Sequence, residues 1–118
     1  MLYTIPYEPT PLSSLRLNRG KGWDTSKQTE FNVRNTLHNQ HHPKILYASP
    51  IIIDITFYLP HKNKNYREPD PDLIDLIRFI EEMAIGALWN NTRIIKTMAA
   101  RKTYSKTPHT IIDIQEAL

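Results

Sequence analysis

Residues 66–91 read YREPDPDLIDLIRFIEEMAIGALWNN, and the rest of the chain is organised around them. The stretch opens on four acids, Glu68, Asp70, Asp72 and Asp75, and closes on Trp89-Asn90-Asn91. Between them, Leu73, Leu76, Ile77, Ile80, Met83, Ala84, Ala87 and Leu88 recur at helical spacing and predict a helix over about 70–88. Ile74, Phe79 and Ile85 widen the apolar surface beyond one stripe, so this helix is expected to pack on more than one partner, such as a sheet and a second subunit. Acids at a helix start have two physical uses. They complement the positive end of the helix dipole, or they hold a divalent metal. Spacing alone leaves both open.

Working toward the N-terminus, Ile45–Leu59 (ILYASPIIIDITFYL) reads as the strongest strand. Ile51, Ile53, Ile55, Phe57 and Leu59 share one face; Ile52, Asp54, Thr56 and Tyr58 share the other. The polar, basic residues 60–69 form a loop. A second, weakly amphipathic helix is expected from Asp24, Thr25 or Ser26 to about His41, with Phe31, Val33 and Leu37 as its apolar positions. His38 and His42 stand four apart, a metal-pair spacing, but no acid accompanies them, and histidines also suit a helix C-terminus. Residues 1–7 read as a first strand, and the prolines and glycines of 8–24 as a loop. Beyond the central stretch, 93–103 and 109–115 read as two strands joined in a hairpin. The expected architecture is α+β, a β-α-β-α-β-β chain with a small mixed sheet and two helices on one face.

The 118 residues are expected to form a single domain over 1–118. The chain has no cysteine, which excludes disulfides, zinc-thiolate sites and thiol catalysis. No apolar run approaches a membrane span and the N-terminus does not read as a signal peptide, so a cytoplasmic location is expected. The net charge is +3. Arg16, Arg19 and Lys21 sit on the opening loop, Lys62, Lys64 and Arg67 before the acids, and Arg101 and Lys102 on the third strand. This basic flanking of an acidic centre suits a polyanionic partner or simply a solvated surface. Trp23 or Tyr66 can stack on exposed bases or pack a loop onto the domain.

Several blocks resemble, in order, the RusA family of Holliday-junction endonucleases. Pro71-Asp72-Leu73 is similar to the family's Pro-Asp-Leu-Asp-Asn-Leu opening, and Leu76-Ile77-Arg78-Phe79 to its Leu-Ile-Lys-Phe. Gly86-Ala87-Leu88-Trp89 resembles the Gly-Val-Leu-Tyr before its Asp-Asp pair. Arg93-Ile94-Ile95, Lys102-Thr103-Tyr104-Ser105 and Asp54-Ile55-Thr56-Phe57 resemble its strands. The resemblance implies a homodimer that grips a four-way DNA junction, cuts it with magnesium or manganese at clustered aspartates, and works in a bacterial or phage-infected cell, commonly from a phage or prophage.

The same blocks carry departures. In one register Asp72 matches the first family aspartate, Ile74 the second, Asp75 the asparagine and Arg78 the lysine. Slipping by two makes Asp70 and Asp72 the aspartate pair and puts Leu73 and Leu76 at the asparagine and lysine positions. Asn90 and Asn91 replace the final Asp-Asp in either case. The resemblance thus implies Asp70, Asp72, Asp75, Asn91 and Arg78 as the catalytic set, the first four as metal ligands, and Arg16, Arg19, Lys21, Lys62, Lys64, Arg67, Arg101 and Lys102 as DNA contacts. Isoleucine cannot bind metal, and asparagine keeps a carbonyl oxygen but loses the charge. The expected function is junction or branched-DNA binding with cleavage weakened or lost. The alternative is a non-catalytic dimeric adaptor whose acids are structural.

Overall fold

The computed structural model describes residues 1–13, 25–61 and 70–117. Its elements in chain order are β1 (Leu2–Ile5), α1 (Thr25–Gln40), β2 (Ile51–Pro60), α2 (Leu73–Ala84), a 3-10 turn (Thr92–Ile94), β3 (Ile95–Ser105) and β4 (His109–Glu116). The strands form one mixed sheet in the order β1-β4-β2-β3. The α+β architecture is the one expected.

Alternation in β2 builds the core. Ile51, Ile53, Ile55, Phe57 and Leu59 are all buried, while Ile52 and Asp54 are exposed. Register carries that face across the sheet: Ile55 pairs with Ile112 and Ile53 with Ile114 on antiparallel β4. Tyr3 of β1 pairs with Ile112 in turn. On the other side, Met98 and Ala100 of parallel β3 pair with Ile53 and Ile55 and pack against the core. Leu76, Phe79, Ile80 and Met83 of α2, with Val33 and Leu37 of α1, close the cluster. Spacings of three and four put these residues on one face of each helix. Phe31 does not join them and is 63% exposed.

The expected hairpin of the last two strands is not formed. β2 lies between them, parallel to β3 and antiparallel to β4. The isoleucine-rich β2 suits a central position, whereas the polar β3 suits an edge. Next-but-one strands are roughly 10 Å apart, a gap that the three residues between Ser105 and His109 can bridge past the end of β2.

Two element boundaries also differ. Helix α2 stops at Ala84 and does not run to Leu88. Ile85 is extended and Gly86 takes a left-handed φ of 84°, which breaks the helical ladder. The amides of Ala87 and Leu88 turn back onto the Ala84 carbonyl, and the Gly86 amide donates to Trp89 O. Residues 45–50 are not part of the long strand. Tyr47 instead bridges to Trp89, its amide donating to Leu88 O at 2.7 Å.

Candidate functional site

The acids lie where α2 begins, beside the C-terminal half of β3. Asp72 is the N-cap of α2: its Oδ1 accepts from the Ile74 amide at 2.9 Å. A short carboxylate can reach that otherwise unpartnered amide, and its charge faces the positive helix end. Asp70, two residues earlier and half-buried, accepts at Oδ2 from the Tyr104 hydroxyl at 2.6 Å. This bond holds the Tyr104 phenol above its ordinary range, because the hydrogen bond to the carboxylate is made with the phenol's own proton. Asp75, half-buried in the first turn, takes the amide of Ser13 at 3.3 Å and the Ser13 hydroxyl. It thereby ties the opening segment to α2.

The three acids are close in sequence but serve three different neighbours. Among the described residues, no group of three histidine, cysteine, aspartate or glutamate side chains stands where it could hold a metal ion. Asn91 caps the 3-10 turn, its Oδ1 accepting from the Arg93 amide at 2.8 Å. Asn90, Arg78 and Ile74 are exposed, Ile74 at 59%. The described donor set therefore does not make a divalent-metal centre of several carboxylates.

β3 supplies the other side of the site. Lys102 and Tyr104 pair with Phe57 and Leu59 of β2, so they project on the helix-side face. The Lys102 ammonium donates to the Pro71 carbonyl at 3.1 Å. The His61 ring stacks on Tyr104, with centroids 5.9 Å apart. Arg101 points to the opposite face. Its guanidinium donates to both Asp54 oxygens, at 2.7 and 3.0 Å, and to Thr56 Oγ1 at 2.9 Å. That bidentate pairing pulls the Asp54 carboxyl below its usual range and raises Arg101. The two β3 residues expected to grip DNA thus face opposite sides of the sheet. Arg16, Arg19, Lys21, Trp23, Lys62, Lys64, Tyr66 and Arg67 lie outside the described residues.

Sequence reasoning missed three partners: Tyr104 for Asp70, Ser13 for Asp75 and the Pro71 carbonyl for Lys102. Alternation along β3 puts positions 102 and 104 on one face. The parallel pairing with β2, which carries that face to the start of α2, has no local signal. His38 lies in the last turn of α1 and His42 beyond its end, both exposed, while His41 between them is buried at 4% exposure.

Comparison with known proteins places the chain. A family model described as endodeoxyribonuclease RusA matches residues 6–115 of the 118, so the chain belongs to the RusA endodeoxyribonuclease family. This is a family of Holliday-junction resolvases that depend on divalent metal. The match spans both helices, β2, β3 and nearly all of β4. A comparison with curated proteins gave no match. No helix among the described residues is long and apolar enough to cross a membrane.

Proposed function

We propose that this chain is a RusA-type protein that binds four-way DNA junctions as a homodimer and cuts them weakly or not at all. One observation carries the second half of the reading: Ile74 stands solvent-exposed in the first turn of α2, at a position where the family pattern has an aspartate. No packing demand accounts for an isoleucine there. With Asn90 and Asn91 also lacking the family's charge, the local field that would hold a divalent cation is weak.

Burial supports the register in which Arg78 matches the family's lysine. In the slipped register the family's lysine would fall on Leu76, which is fully buried, and a buried ammonium is costly. Arg78, the lysine match in the other register, is exposed. Losing a member of a catalytic set commonly costs about 4 kcal/mol or more in transition-state stabilisation. DNA affinity is not lowered by the same changes, since fewer acids near phosphate mean less repulsion.

The junction grip falls to basic residues outside the described ones: Arg16, Arg19, Lys21, Lys62, Lys64 and Arg67. Competition binding between a labelled four-way junction and a linear duplex of the same sequence tests this reading. A clear junction preference is expected. Reversing Lys62 and Lys64 to glutamate should weaken binding and flatten its dependence on salt. Equal affinity for junction and duplex would remove junction recognition and favour the dimeric adaptor.

A further inference from the structure

We propose that Lys102 and Tyr104 are positioning residues, a two-point latch by which the edge strand β3 fixes the acid-bearing entrance of α2, with the Lys102 ammonium engaging the chain's own Pro71 carbonyl and not a DNA phosphate. The geometry is specific. Both side chains lie on the helix-side face of β3, beyond the last residue of that strand that packs on the core, Ala100. They reach two consecutive residues, Asp70 at 2.6 Å and Pro71 at 3.1 Å. Asp72 follows at once and caps the helix. Lys102 has a free choice of partners in water, yet it donates to a neutral carbonyl beside an acid, where the negative field of Asp70 and Asp72 favours a cation. Tyr104 adds a bond to the carboxylate itself, the stronger kind of hydrogen bond.

The latch ties the spacing between the acids and the sheet to the register of β2 with β3. It makes a lysine that composition would assign to nucleic acid an internal contact. The inference uses the junction-binding reading in one arm of its test only.

Lys102→Met, Tyr104→Phe and the double variant would be compared by amide hydrogen exchange over residues 73–76, and Lys102→Met by the salt dependence of four-way junction binding. Each single variant is expected to speed exchange at Ile74 and Leu76 about five-fold, with exchange elsewhere in the sheet unchanged. The double variant is expected to exchange no faster than the product of the singles. The salt slope of Lys102→Met is expected to match the parent. Unchanged exchange in both single variants overturns the latch. A slope shallower by about 0.9 overturns the assignment of Lys102, because that is the signature of one lost phosphate contact. If no junction binding is seen at all, the functional reading fails, and the exchange data still decide the latch.

Discussion

The Tyr3 hydroxyl lies 2.7 Å from Nδ1 of His41, a contact that joins the first strand to the end of α1 across 38 residues of chain. The ring's Nε2 faces the Ile45 carbonyl at 2.6 Å, so it carries the proton. In the neutral ring Nδ1 then accepts from Tyr3, whose oxygen accepts in turn from Tyr47 at 2.9 Å. Burial pushes the Tyr3 phenol well above its ordinary range. This network fastens β1, α1 and the segment that bridges to Trp89.

Removing the donor from this network should cost more than removing its outer member. Tyr3→Phe leaves a buried acceptor on His41 and is expected to lower unfolding free energy by about 1–3 kcal/mol. Tyr47→Phe loses a bond at a half-buried site and should cost about 1 kcal/mol. Urea denaturation measures both. Equal losses would mean that His41 finds another partner.

Gly86→Ala isolates backbone strain. A Cβ at Gly86 meets nothing within 4 Å, but the residue holds a φ of 84°. The expected loss is about 1–2 kcal/mol from the left-handed conformation alone. Gly86→Asn should lose less, since asparagine tolerates that region better. If alanine proves neutral by thermal unfolding, the turn that ends α2 is not held in that conformation.

The ion pair on the open sheet face gives a pH prediction. Arg101 holds the folded-state pKa of Asp54 below its unfolded value. A depressed carboxyl contributes stability that is present above the unfolded pKa and is lost as pH falls through the folded one. Carbon-detected titration should find Asp54 below the usual aspartate range of about 3.9. Arg101→Gln should return it toward that value. An unmoved Asp54 would show that the guanidinium is not its partner in solution.

Asp75 distinguishes an anchor from a crowd of like charges. Were the acids of 70–75 only repelling one another, Asp75→Ala would stabilise the protein. As the acceptor for Ser13, it should instead lose about 1 kcal/mol on that substitution. Ser13→Ala in the same background should then add little, which a double-mutant cycle reads directly.

Much of this fold was legible in the sequence because it depends on periodicity. The alternation of Ile51 to Leu59 and the helical spacing of Leu76, Phe79, Ile80 and Met83 each define a buried face from local pattern. Asp72 as a cap is legible for the same local reason. Strand order is different. Nothing in 93–103 or 109–115 says that β2 will separate them, because a short link serves a hairpin and a two-strand hop equally well. The helix end is hidden in the sequence because Ala87 and Leu88 keep the apolar spacing after Gly86 has turned the chain. The site was legible as a list of residues and not as contacts. Asp70, Asp72 and Asp75 look like one cluster along the chain, yet they reach Tyr104, their own helix and Ser13.

The most direct test of the functional account is single-turnover cleavage of a four-way junction, with magnesium and then manganese. The chain would be run beside a variant carrying Ile74→Asp, Asn90→Asp and Asn91→Asp. The account predicts that both forms bind the junction, that the chain cuts it slowly or not at all, and that the variant cuts it faster by orders of magnitude. Rapid symmetric cutting by the unaltered chain would contradict it.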